Sequence, residues 1–127
     1  MKTNYQLAVA LVVGAAIGGS VIQGLHAQAT PPTYFVADLG AITDPEGFKA
    51  VGPKAGPAAA AFGGRYIMRT ENITAVKGTA PKRFVVIAFE SLAKAQAWYD
   101  SPAQKEVGAI LDKTTTQRQF FVEGMPQ

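Results

Sequence analysis

At 127 residues the chain has room for one hydrophobic core, and its 12 Lys plus Arg against 9 Asp plus Glu leave a formal net charge of only +3. The charges come in ones and twos, Lys82-Arg83 being the densest pair, so the clustered basic stripe with interleaved aromatics that marks nucleic-acid binding is missing. Cysteine is absent, and the one histidine, His26, precedes the main body of the chain.

Lys2 is the only formal charge before Asp38, residues 7–22 carry none, and Ala27-Gln28-Ala29 supplies the small residues of a cleavage site. Residues 1–29 therefore read as a secretory signal and 30–127 as a single exported domain, expected in the periplasm. Contact with a membrane is expected only through an uncleaved signal. Gly14, Gly18, Gly19 and Gly24, in an apolar run shorter than the roughly 20 residues of a spanning helix, favour cleavage. Cleavage would remove His26 and leave a domain with neither His nor Cys. Such a domain has no zinc site of the usual type, no Cys/His or Ser/His/Asp nucleophile and no His- or Cys-ligated haem. The nine acids are dispersed, so neither a metal nor another cofactor is expected.

Tyr34 to Leu39 alternates as a strand, with Tyr34, Val36 and Asp38 on one side and Phe35, Ala37 and Leu39 on the other. Asp44-Pro45-Glu46 starts a helix, with Asp44 as N-cap and proline in the first turn. Its stripe is Phe48, Val51, Ala55, Ala58 or Ala59 and Phe62; Pro53 and Pro57 must kink or divide it, and Gly63-Gly64 ends it. Arg65 to Thr70 forms a second strand, continuing loosely through 73–76 after a turn at Glu71-Asn72. Lys82 to Glu90 is apolar on both faces and belongs in the middle of a sheet. Ser91 caps a helix with Leu92, Ala95 and Trp98 on one face. Ser101 and Gln104 fit a capping box on the next helix, whose stripe is Ala103, Val107, Ile110 and Leu111. Gln119 to Glu123 is a closing strand. The order β-α-β-β-α-β is the split pattern of ferredoxin-like α+β folds, with helices on one sheet face. The other face, rich in large apolar groups, needs a cover. Sheet-to-sheet homodimerisation is the simplest, with a pocket between the sheets as a common sequel.

Asp44-Pro45-Glu46, Phe62-Gly63-Gly64-Arg65-Tyr66, Pro81-Lys82-Arg83, the run 95–102 (Ala-Gln-Ala-Trp-Tyr-Asp-Ser-Pro) and Val122-Glu123-Gly124 occur in that order. Together they resemble the domain-of-unknown-function 1330 family of the dimeric α+β-barrel superfamily, over about residues 33–124. The resemblance implies a ferredoxin-like fold and a sheet-packed homodimer, with no agreed activity. Relatives in the wider superfamily include cofactor-free monooxygenases, cyclases, isomerases and haem-handling enzymes. The chain departs from the usual pattern at Val51 and Gln104, where tyrosine is common, and at Leu111, where arginine is.

Among the polar residues, Arg65 and Arg69 are expected on one strand face with Ile67, where an arginine suits a carboxylate ligand. Trp98 fits core packing or stacking on a ligand, and Tyr99 has a polar tip able to donate to an enolate or carboxylate. Arg65, Arg69, Trp98 and Tyr99 are thus the ligand-binding candidates. Asp38 is the one acid placed for a sheet cleft, where it would act as a general base if burial raised its pKa. Asp38, Arg69 and Tyr99 are the catalytic candidates. Three readings stay open. The first is a homodimer binding a small aromatic or carboxylated metabolite between sheet and helices. The second is a cofactor-independent enzyme, and the third an interaction module whose interface is its whole function. A cavity favours the first two; a filled interior favours the third.

Overall fold

The computed structural model describes residues 30–126, and residues 31–125 form one compact unit. The segment read as a secretory signal, 1–29, lies outside the described residues. Four strands, β1 (Thr33–Ile42), β2 (Arg65–Thr70), β3 (Arg83–Phe89) and β4 (Thr115–Glu123), form an antiparallel sheet in the order β2-β3-β1-β4. Four helices, α1 (Pro45–Phe48), α2 (Val51–Ala60), α3 (Leu92–Tyr99) and α4 (Pro102–Thr114), complete the ferredoxin-like order, each connection carrying a pair of helices in place of one. No helix among the described residues is long and apolar enough to cross a membrane.

The alternation of β1 decides where the core lies. Phe35, Ala37 and Leu39 pack with Ile87 and Phe89 of β3, with Ala58 and Ala59 of α2, and with Ala95 and Trp98 of α3. Val107 and Leu111 of α4 close a second cluster against Ala55 of α2. The opposite face of β1, Tyr34, Val36 and Asp38, is in register with Ala88, Val86 and Phe84 of β3, and with Val122, Phe120 and Arg118 of β4. β3 is central, as its two-sided apolar pattern requires.

Local chemistry sets the ends. Asp44 accepts from the Gly47 amide at 3.1 Å, and Ser91 from the Lys94 amide at 3.2 Å. At the end of α2 the Gly64 amide donates to the Ala59 carbonyl and the Gly63 amide to the Ala60 carbonyl, a Schellman closure with Gly63 at φ +78°. A Cβ on Gly64 would lie 2.7 Å from the Phe89 ring, so this glycine lets the chain turn against the core.

Three expectations are corrected. The first helix breaks at Lys49-Ala50, ahead of both prolines. Pro53 sits in the first turn of α2, where a missing amide costs little, and only Pro57 is interior. β2 stops at Thr70; residues 71–82 form no further strand. On α4 the buried set is Gln104, Val107, Leu111 and Thr114 rather than the stripe through Ala103 and Ile110, so a polar residue faces inward.

Candidate functional site

A cavity of about 270 Å³ lies between the helix-facing side of the sheet and helices α1, α2, α3 and α4. Protein interiors seldom leave voids much larger than a water molecule, so a space of this size is the candidate site. Its body is apolar, with Phe35, Ala37, Leu39, Val85, Ile87, Val107 and Leu111 on the walls. It lies on the helix side, not on the sheet face where a pocket between two sheets would have been.

β2 brings the charge. Arg65 is in register with Ala88, Tyr66 with Ile87, Met68 with Val86 and Arg69 with Val85, the register shifting between Tyr66 and Met68. Ile67 is the extra residue of this β-bulge. The bulge breaks the alternation that would have put Arg65, Ile67 and Arg69 on one face. Arg65 lies on the open face, while Tyr66 and Arg69 line the cavity. The Arg69 guanidinium lies over the Tyr66 ring, 5.1 Å from its centroid, and among the described residues no carboxylate pairs with it. Arg83, opposite Leu39 on β3, lies over the Phe48 ring at 5.7 Å and reaches Glu71 at 3.2 Å. Burial pushes the Tyr66 phenol above its ordinary pKa, against the pull of Arg69 and Arg83, so it is a neutral hydrogen-bonding group at physiological pH. Lys49 is the third cation on the lining, and among the described residues no acid lines the cavity.

The far end is aromatic and amide. Trp98 is 1% exposed, edge-on to Phe35 at 4.8 Å and tilted on Phe89 at 5.1 Å, so core packing is its structural role. Its Nε1 has no hydrogen-bond partner, nor has Oε1 of Gln104, which is 4% exposed. Both residues line the cavity. Ser101 links their backbones, donating from Oγ to the Trp98 carbonyl at 2.7 Å and accepting from the Gln104 amide at 3.3 Å. The capping box is half formed, because the Ser101 amide bonds the Trp98 carbonyl and leaves the Gln104 side chain to the cavity.

Tyr99 stands outside the lining. Its hydroxyl donates 2.8 Å to Oε1 of Gln119, whose own amide nitrogen donates to Gln117, so Tyr99 orients a lining residue. Asp38 is on the other side of the sheet, where Arg118 of β4 pairs with it at 2.7 Å. The proposed catalytic trio therefore does not converge. Tyr66, Arg83, Gln104 and Gln119 join Arg69 and Trp98 at the site instead. In sequence Gln104 fits a cap and stands where tyrosine is common; its place three and seven residues before Val107 and Leu111 is the signal for an inward position.

A family model, domain of unknown function (DUF1330), matches residues 32–125. No curated protein matches the sequence. Among solved structures, the chain is similar to a protein of unknown function from Rhodopseudomonas palustris, with 13% identity and a TM-score of 0.61 over 77% of this chain and 85% of that one. It is similar to SnoaB, a cofactor-independent oxygenase from Streptomyces nogalater, at 16% identity and TM-score 0.53, covering 72% and 91%. A dimeric ferredoxin-like protein of unknown function from Thermobifida fusca aligns at 17% identity and TM-score 0.52, covering 75% and 91%. At such identities the likeness is one of fold.

Proposed function

We propose that this chain, which belongs to the domain of unknown function (DUF1330) family, is an exported homodimeric binding protein for a small aromatic or carboxylated metabolite. The observation that carries the reading is the helix-side cavity, apolar in body, lined by Lys49, Arg69 and Arg83 and, among the described residues, by no acid. An aromatic ring is matched by the walls, and a carboxylate by guanidinium groups at their edge. A cavity of this size also counts against a module whose interface is its whole function. The enzyme reading has less support. Among the described residues the lining offers no carboxylate or imidazole base, Tyr66 holds its proton, and the Asp38 side chain lies on the opposite sheet face in an ion pair.

Trp98 is the chain's only tryptophan and lines the cavity, so its fluorescence reports occupancy directly. Titration with benzoate and 1-naphthoate is expected to give a saturable change. Ala55→Leu, which fills the cavity from α2, is expected to abolish it while the circular dichroism spectrum is retained. A change that survives Ala55→Leu would place the ligand elsewhere. Export is tested by native mass spectrometry of protein from an exporting host; chains starting at Thr30 support it and chains starting at Met1 overturn the cleavage.

A further inference from the structure

The two ends of the cavity differ in chemistry, and β1 measures the distance between them. Trp98 packs edge-on against Phe35, whereas Arg83 is in register with Leu39, and Arg69 with Val85, which itself pairs with Ala37. Two to four residues of strand separate these positions, about 7–14 Å at the rise of an antiparallel strand. One end is cationic. The other has on its lining a residue with a donor lacking an acceptor, the Trp98 indole N–H, and a residue with an acceptor lacking a donor, the Gln104 side-chain carbonyl, their backbones linked through Ser101. A buried polar group left unpaired is costly, and these two are complementary rather than alike. A hydroxyl is the smallest ligand group that serves both, accepting from the indole and donating to the amide oxygen.

Resting on the binding reading above, we propose that the ligand is an aromatic carboxylate bearing a hydroxyl group across the ring from the carboxylate. The hydroxyl sits between Trp98 and Gln104, and the carboxylate points to Arg69 and Arg83 beside the Tyr66 phenol. One ring with a hydrogen bond at each end spans the separation along β1. An ortho-hydroxyl does not, because it lies next to the carboxylate and bonds to it. A neutral aromatic of the same shape leaves the unpaired Arg69 guanidinium without its partner.

The test compares 4-hydroxybenzoate, 2-hydroxybenzoate, benzoate and phenol on the whole purified protein, by calorimetry and by Trp98 fluorescence. The expected result is 4-hydroxybenzoate tightest, about tenfold tighter than benzoate and 2-hydroxybenzoate, because satisfying a buried unpaired group carries that much discrimination. Gln104→Leu is expected to erase the preference for the hydroxyl while keeping benzoate affinity. Arg69→Met is expected to weaken all three carboxylates about tenfold and to leave phenol unchanged. Equal affinity for 4-hydroxybenzoate and benzoate in the unmutated protein overturns the hydroxyl assignment with no variant needed, and leaves the binding reading in place. Unchanged carboxylate affinity in Arg69→Met overturns the orientation. If none of the four, nor 1-naphthoate, changes the fluorescence, the binding reading itself falls.

Discussion

Tyr66 is pulled two ways. Burial favours its neutral form, while the guanidinium groups of Arg69 and Arg83 favour the anion, and burial has the larger effect. The folded protein therefore binds the phenol proton more tightly than the unfolded chain does, for which the ordinary value is 10.0. The sign follows from linkage: the associated stability is fully present below that value and is lost as pH rises through the higher folded one. Urea midpoints measured between about pH 8 and pH 11 should fall more steeply for the native chain than for Tyr66→Phe, with the two curves parallel below about pH 9. Curves parallel throughout would mean that the hydroxyl is solvated and does not face the cavity. Trp98 shows a different tension at the same scale. Its ring is fixed by Phe35 and Phe89, so the core determines where the indole N–H sits.

The two helix pairs on the covered face of the sheet depend on short caps. Ser91 accepts one amide at the start of α3. Ser101, buried at the start of α4, accepts the Gln104 amide and also donates to the Trp98 carbonyl, so it ties two helices together. Ser91→Ala should cost about 1 kcal/mol of unfolding free energy, as an ordinary cap does, and Ser101→Ala roughly 2 kcal/mol, because a buried carbonyl also loses a donor. Equal costs in urea denaturation would remove the second role from Ser101. The caps at Asp44, Ser91 and Ser101 were legible in sequence because each is a local interaction within three or four residues. So was the sheet: alternation in β1 separates Phe35, Ala37 and Leu39 from Tyr34, Val36 and Asp38 without reference to any other strand. What was not legible depends on a partner strand or helix. The bulge at Ile67 exists only in the pairing with β3, and it reverses the face of Arg65 relative to Arg69. The inward turn of Gln104 depends on how α4 lies against α2, where Lys54 meets Glu106 at 2.7 Å. Asp38 was placed on the correct side of its strand, but the cavity formed on the other. Residue types single out both arginines; only the pairing with β3 shows that Arg69, and not Arg65, lines the cavity.

At the scale of the molecule the sheet has two unlike sides. One is covered by helices and contains the cavity. The other presents Val36 and Val86 at its centre, each less than a tenth exposed, flanked by Met68 at 44%, Phe120 at 45% and Val122 at 41%. Scattered apolar residues need no explanation, but a surface running from β2 across β3 and β1 to β4 does. A second copy fits the need, since a two-fold arrangement lets one apolar sheet cover another, the Asp38–Arg118 ion pair of this face being satisfied within the chain. The chain should therefore run at twice its protomer mass in size-exclusion chromatography with light scattering at micromolar concentration. The double substitution Phe120→Arg and Val122→Arg places charges on this face and should halve that mass. Both side chains point away from the helices, so the monomer should still bind benzoate within about threefold of the native affinity, the contacts to the ligand being the same. A native protein already at protomer mass would overturn the sheet-to-sheet dimer. A variant that becomes monomeric and loses benzoate altogether would show that the second copy, besides covering the open face, holds the cavity on the other side in its binding shape.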